Sequence, residues 1–125
     1  MHLTLIIETF WSYTRLRIEY SVTMTSTVRE IPLEELLSVL GDRSRLKILR
    51  ALKEGHEKCK DIEDYIGIHV SDLTETVGLS QSAVSQHLAR LRQVGLVRVE
   101  RRAQWSYYMR DEAALEAFRL RLEEV

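Results

Sequence analysis

The stretch that most constrains the fold is residues 70–95, in which two short helical patterns meet at a glycine. Leu73 and Val77 are four positions apart, so they lie on one face of the first helix. Ser71 is expected to cap this helix, because its hydroxyl can accept a backbone N–H at the N terminus. Gly78 supplies the left-handed backbone that ends it. The pattern predicts a short amphipathic helix followed at once by a tight turn.

The second helix is expected to begin after the capping residue Ser80 and to run to about Val94. Helical spacing assigns three apolar residues to the core: Val84, Leu88 and Leu91. The opposite face is short or amide-bearing and contains no acid: Ser82, Ser85, Gln86, Ala89 and Gln93. Such a face suits the major groove of DNA, because it allows close approach and both donates and accepts hydrogen bonds. The alternative is a solvated face, although those usually alternate Glu with Lys.

A basic hairpin is predicted to follow. Residues 96–102 and 105–110 are strand-like, with a turn at 103–104, because they contain the β-forming residues Val97, Val99, Tyr107 and Tyr108. From Gln81 to Arg110 there are six arginines and one acid, which gives a net charge of +5. A basic hairpin beside a helix-turn-helix indicates a winged helix, whose tip can contact DNA phosphates. The predicted fold class is mainly α with a small β-hairpin.

Several segments together resemble the ArsR/SmtB family of repressors. They are residues 46–52 (LKILRAL), 71–73 (SDL), 78–88 (GLSQSAVSQHL), 91–97 (LRQVGLV) and 107–108 (YY). The resemblance covers roughly residues 33–118, and the 79–88 run is its most specific part. It implies a five-helix core and a dimeric winged-helix DNA-binding protein. It also implies release from the operator by a metal ion or a thiol-reactive signal.

Residues for two interfaces follow from the helical faces and the resemblance. The recognition helix and the wing are predicted to contact double-stranded DNA through Gln81, Ser82, Ser85, Gln86, His87, Arg90, Arg101, Arg102 and Gln104. In the family the first and last helices form the homodimer. Here the corresponding apolar positions are Leu33, Leu36, Leu37, Leu115, Phe118 and Leu122.

The two usual metal sites of the family lack their ligands here. One uses two cysteines around the residue before an Asp-Leu pair, and those positions hold His69 and Ser71. The other uses histidines and acids on the last helix, where this chain has Asp111, Glu123 and Glu124 but no histidine. Carboxylates alone make a poor zinc site. Neither family site is therefore expected to bind metal.

A third candidate metal site comes from the residues themselves. His56, Cys59 and His69 lie within a short segment, and thiolate with imidazole suits zinc or cadmium. The alternatives are a solvated acidic loop without metal, and a regulator gated by Cys59 oxidation or by a protein partner. A winged helix used as an interaction module without DNA is a further alternative, against which the arginines of the wing argue. No Gly-rich phosphate loop or catalytic constellation is recognisable, so no enzyme is expected.

The remaining helices can be read from capping residues and breakers. Pro32 to Gly41 bounds a first helix, and Asp42 or Ser44 can cap a second one that Gly55 is expected to end. Residues 55–69 form an insertion relative to the family, read as an extra helical turn or an ordered loop. Asp111 can cap the last helix.

Bulk composition sets the remaining expectations. With 125 residues a single domain is expected, here residues 28–125. Residues 1–27 are an extension, either an arm that packs on the dimer or residues upstream of a natural start at Met24. One cysteine excludes an internal disulfide and fits a reducing cytoplasm. No apolar run is long enough for a membrane span, and the net charge of −1 makes the basic wing a local feature.

Overall fold

The computed structural model describes residues 27–125, so the expectation for an N-terminal arm lies outside the described residues. A helical turn at residues 27–30 precedes five helices and three strands. In chain order these are α1 (Leu33–Leu40), α2 (Arg43–Cys59), β1 (Ile68–His69), α3 (Val70–Val77), α4 (Gln81–Gln93), β2 (Val97–Arg102), β3 (Trp105–Arg110) and α5 (Glu112–Leu122). The five-helix winged arrangement expected from the sequence is confirmed. Among the described residues, no helix is both long and apolar enough to cross a membrane.

The core is built from the apolar faces that helical spacing predicted. Its fully buried side chains are Val28, Leu36, Val39, Ile48, Leu52, Leu73, Val84, Leu88, Leu91, Val94 and Leu96. The apolar face of α4 is therefore confirmed as core, and so is that of α3, where Val77 is also buried. Burying these aliphatic side chains is the main favourable term in folding, at about 1.5–3 kcal/mol for each large one. It fixes α4 with one face inward and the other outward.

Three helices begin with the predicted side-chain caps. The carboxylate of Asp42 accepts from the backbone N–H of Arg45 at 3.0 Å, and the hydroxyl of Ser80 accepts from Ala83 at 3.1 Å. Asp111 accepts from the N–H of Ala114 at 3.0 Å while it is only 4% exposed. Each bond satisfies one of the N–H groups that a helix start leaves unpaired. These caps set where α2, α4 and α5 begin.

The capping residue of α3 was predicted wrongly. The cap is His69, whose Nδ1 accepts from the backbone N–H of Ser71 at 3.2 Å, and Ser71 itself lies inside the helix. His69 has extended backbone because it also pairs with the wing, so the helix starts two residues earlier than a cap at Ser71 would place it. The left-handed glycine that ends the helix is confirmed, since Gly78 has φ 71°.

The end of α2 was also predicted wrongly. The helix continues through Gly55 to Cys59. A glycine inside a helix costs stability relative to alanine, but here the missing side chain makes room for two neighbours. A Cβ at Gly55 would overlap the side chain of Ile68 and lie 3.1 Å from the hydroxyl of Tyr65. Gly55 therefore serves close packing of the following segment, and the 55–69 insertion resolves into a last turn of α2, a loop and a strand.

That strand, β1, was not predicted. It pairs antiparallel with β3, with Ile68 opposite Tyr108 and His69 opposite Tyr107. β3 also pairs with β2, so the strand order is β1-β3-β2. The hairpin turn falls where the sequence indicated, and Ala103 takes a left-handed φ of 54° there. The middle of β3 is thus paired with the residue that caps α3.

Candidate nucleic-acid interface

The outward face of α4 presents four of the predicted DNA contacts to solvent. Gln81, Ser82, Ser85 and Gln86 are all exposed, while the opposite face of the helix is buried. The cap at Ser80 fixes the start of the helix, so these residues occupy its first two turns. Short hydroxyl and amide side chains at a helix start have the reach and the donor and acceptor groups that base edges require. This face therefore presents the hydrogen-bonding groups that direct reading of base edges requires.

The wing supplies exposed positive charge beside that face. Arg101, Arg102 and Gln104 are exposed around the hairpin turn. The Nε of Arg102 lies 3.2 Å from a carboxylate oxygen of Glu100, whereas no ion pair involves Arg101 within residues 27–125. The side chain of Trp105, at 47% exposure, lies next to the turn. Arginine at such a tip can neutralise phosphates, which contributes affinity rather than sequence choice.

His87 and Arg90 lie on a flank of α4 that turns toward α1 and the start of α2. Both are half-buried. His87 is close enough to Asp42 for its charge to lower the pKa of that carboxyl, although the N–H of Arg45 is the larger cause. Arg90 donates to Glu35 of α1 and to Gln93 of its own helix. Of these two predicted contacts on α4, Arg90 is therefore already paired with another helix of the protomer.

Two arginines of the basic hairpin are engaged with α5. Arg110 donates to both carboxylate oxygens of Glu112, at 2.9 and 2.7 Å, and this bond holds the pKa of Glu112 below its usual value. The Nε of Arg98 lies 3.9 Å from a carboxylate oxygen of the buried Asp111 and has no hydrogen-bond partner among residues 27–125. These arginines join the wing to α5, and the positive charge left for DNA lies near the turn.

The predicted metal ligands are not brought together. His69 caps α3, and its ring lies edge-on to Trp105 and Tyr107, with ring centroids 4.8 and 5.8 Å away. His56 instead faces Tyr65, at 6.2 Å between centroids. In the described part of the chain, no group of three His, Cys, Asp or Glu residues is arranged to hold a metal ion. The described residues therefore do not fit a metal centre.

The predicted dimer residues divide into two groups. Leu36 is wholly buried in the core of the protomer, so its assignment to a dimer interface was wrong. Leu115 and Phe118 pack partly against the same core. Leu37 and Leu122 remain 45% and 42% exposed. Leu120 is also 47% exposed and was not predicted, because it lies off the helix face that Leu115, Phe118 and Leu122 share. These exposed leucines are the apolar surface that α1 and α5 offer.

Sequence reasoning also missed Glu35 and Asp111 as partners of basic residues near the interface. Glu35 lies on α1, 3.2 Å from Arg90 of α4, and Asp111 lies at the start of α5. Glu35 and Arg90 are 55 positions apart and Arg98 and Asp111 are 13 apart, so the spacing within a single helix or strand carries no signal for either pair. An acid facing the recognition helix could have been sought only by assuming the fold of the family.

Comparison with known proteins identifies the same part of the chain. A family model described as bacterial regulatory protein, arsR family, matches residues 68–99. This stretch begins at β1, contains α3 and α4, and ends within β2. It therefore contains the outward face of α4 and the base of the wing.

Individual relatives extend the match beyond that segment. The uncharacterized HTH-type transcriptional regulator YbzH of Bacillus subtilis is 38% identical over 85 residues, which are 65% of this chain and 85% of the relative. The putative arsenical resistance operon repressor ArsR2 of Halobacterium salinarum is 39% identical over 74 residues, covering 59% of this chain and 55% of the relative. The chain thus spans most of the first relative and about half of the second.

A solved structure agrees with these relatives. HlyU from Vibrio cholerae is similar with a TM-score of 0.52 and 31% identity, over 72% of this chain and 87% of that one. The Vibrio cholerae protein is named transcriptional activator HlyU, and it is 34% identical to this chain over 82 residues. The likeness covers 66% of this chain in sequence and 72% in structure.

Proposed function

The chain belongs to the ArsR family of winged helix-turn-helix, DNA-binding transcriptional regulators, and from this we propose that it represses transcription by occupying operator DNA as a homodimer. The observation that carries the proposal is the two-faced α4. Its apolar face is fully buried, so the exposed hydroxyl and amide side chains of Gln81, Ser82, Ser85 and Gln86 are held in a fixed direction. A rigid helix with such a face is suited to a groove.

The wing complements this face with charge. Arg101 and Arg102 lie at the exposed turn, where they would neutralise phosphates beside the groove that α4 enters. Base edges would then be read by α4, while the wing sets affinity and register. His87 and Arg90 would contact the backbone from the flank of α4 that faces α1.

Two copies are needed for tight operator binding, since a single helix reads only one half-site. The exposed Leu37 of α1 and Leu122 of α5 are the proposed surface between the copies. Leu115 and Phe118, which pack partly against the core, and the half-buried Leu33 would line the same surface. Pairing them removes apolar side chains from water, which is favourable. We propose that the protein acts in the cytoplasm, where its proposed DNA partner would lie, and that this activity includes no catalytic step.

Repression is carried over from such relatives, whereas the link to arsenical resistance is not. ArsR2 of Halobacterium salinarum is named as a repressor of an arsenical resistance operon. This chain has one cysteine in all, Cys59, so a protomer cannot present two thiolates to one ion. The signal that releases this protein from DNA is therefore expected to differ from that of the arsenical repressors.

In vitro selection from a random duplex pool tests the proposal without knowledge of the operator. The wild-type protein should enrich a two-fold symmetric sequence with half-sites about one helical turn apart. The enriched duplex should bind at least about a thousandfold more tightly than a scrambled duplex at physiological salt. Equal affinity for the two duplexes, or enrichment of no sequence, would overturn it.

A further inference from the structure

One ion pair joins the recognition helix to α1 at the edge of the proposed DNA-reading face. The Nη2 atom of Arg90 lies 3.2 Å from a carboxylate oxygen of Glu35, and its Nη1 donates to the side-chain oxygen of Gln93 at 2.8 Å. Gln93 belongs to the polar outward face of α4. The guanidinium of Arg90 therefore lies between the face proposed to enter the groove and a carboxylate of α1.

The surroundings of this pair leave both side chains within reach of solvent. Arg90 and Glu35 are 38% and 42% exposed. An ion pair with this exposure is weak, because water and salt screen it. A guanidinium binds phosphate with the same forked geometry that it uses for carboxylate. A phosphate beside α4 can therefore replace the carboxylate as the partner of Arg90.

The negative charge of Glu35 is also expected to repel DNA phosphates directly. If α4 lies in a groove, the phosphates along one side of that groove pass the flank that carries Arg90. A carboxylate 3.2 Å from this guanidinium cancels most of its charge and repels the same phosphates. No second cation lies in an ion pair with Glu35 within residues 27–125.

We propose that Glu35 is an affinity-determining residue of this regulator, because its carboxylate competes with a DNA phosphate for Arg90. The inference rests on the proposed function, since it requires α4 to enter the groove. Operator binding breaks the Glu35–Arg90 pair and leaves Arg90 on the phosphate. Glu35 lies on α1, two residues from the exposed Leu37. A shift of α1 relative to α4 would therefore change how strongly Glu35 neutralises Arg90, and with it the affinity for DNA.

Substitution of Glu35 with glutamine tests this competition. Glu35→Gln removes the charge and keeps the size, and Glu34→Gln, in the same first turn of α1 and exposed, removes an equal charge that does not face Arg90. The probes are the duplex enriched by the wild-type protein and its scrambled counterpart, measured by fluorescence anisotropy over a range of KCl. Glu35→Gln should bind both duplexes roughly two- to fivefold more tightly than wild type, with a steeper salt dependence. Glu34→Gln should change affinity by much less.

The same substitution in an Arg90→Ala background isolates the pair. Arg90→Ala should weaken binding, and Glu35→Gln should then gain no more than Glu34→Gln gains. The inference is overturned if the two glutamine variants behave alike, if the gain persists without Arg90, or if Glu35→Gln weakens binding, which would mean that Glu35 positions Arg90. A wild-type protein that fails to bind any duplex in a salt-dependent manner overturns the proposed function together with this inference, whereas the other outcomes leave that function intact.

Discussion

The imidazole Nδ1 of His69 accepts a hydrogen bond from the backbone N–H of Ser71 at 3.2 Å, so a histidine caps the first helix of the helix-turn-helix. The same residue pairs with Tyr107 in the sheet, and its ring lies edge-on to Trp105. One side chain thus connects the start of α3 to the wing. This role accounts for a histidine at that position without any metal ion.

Loss of this cap should lower stability. His69→Ala is expected to reduce the free energy of unfolding by about 1 kcal/mol, the usual cost of losing an N-cap. His69→Asn should recover part of that loss, because asparagine is also a good N-cap, although it lacks the ring that meets Trp105. Urea denaturation of the three proteins measures both effects. A His69→Ala protein as stable as wild type would mean that the cap contributes nothing.

The helix-turn-helix could be predicted because its signals are local. Helical spacing placed Val84, Leu88 and Leu91 in the core. Gly78 marked the end of α3, and Ser80, two residues later, marked the start of α4. Such signals depend on backbone geometry and on side chains one turn away, so no tertiary contact is needed to read them.

The errors arose where distant contacts decide the structure. Gly55 resembles a helix end, but it is retained inside α2 because Ile68 packs against it. β1 is two residues long and exists only because β3 pairs with it. Leu36 and Leu37 lie three and four positions after Leu33, so helical spacing assigns both to one apolar face. Periodicity cannot distinguish a protomer core from a dimer surface, since both are apolar, and only the structure shows that Leu36 is buried while Leu37 is exposed. The partners of Arg90 and Arg98 could not be predicted either, because each pair forms only when the fold brings two elements together.

The cap of α2 should give stability a specific acid dependence. The backbone N–H of Arg45 holds the pKa of Asp42 below its ordinary value of 3.8. Because the folded-state pKa is the lower one, the stabilisation is fully present above the unfolded pKa and is lost as pH falls through the folded pKa. Asp42→Asn keeps a capping side chain that does not titrate. Its melting temperature should fall less than that of wild type below about pH 4, and parallel curves would refute the effect.

A charge on the outward face of α4 should abolish DNA binding without unfolding the protein. Ser85 is exposed on that face, so a Ser85→Glu side chain would meet the phosphates and base edges of the groove. We expect affinity for the selected duplex to fall at least about a hundredfold, with an unchanged circular dichroism spectrum and melting temperature. Ile62→Glu, which adds the same charge at an exposed position after α2, is the control and should bind normally. Normal binding by Ser85→Glu would remove this face from the groove.

The two arginines at the wing turn should differ in how much they contribute to the salt dependence of DNA binding. Arg102 already pairs with Glu100, whereas no ion pair engages Arg101 within the described residues. Arg101→Ala should therefore lower the slope of log affinity against log salt by about one unit, and Arg102→Ala should lower it by less. Both should weaken the selected and scrambled duplexes alike, because phosphates carry no sequence information. Unchanged slopes in both variants would mean that the wing does not touch DNA.

Dimerisation should depend on the leucines that α1 and α5 leave exposed. Leu37→Asp or Leu122→Asp would place an unpaired charge in the proposed surface between copies, which is costly when buried and harmless in an exposed protomer. Sedimentation velocity should then show monomers that retain the wild-type circular dichroism spectrum. Phe118 is a poorer probe, since it packs against the core and its loss would also destabilise the protomer. Ile62→Asp, at a 58% exposed position outside both helices, should remain dimeric, and a Leu37→Asp and Leu122→Asp double variant that stays dimeric would place the interface elsewhere.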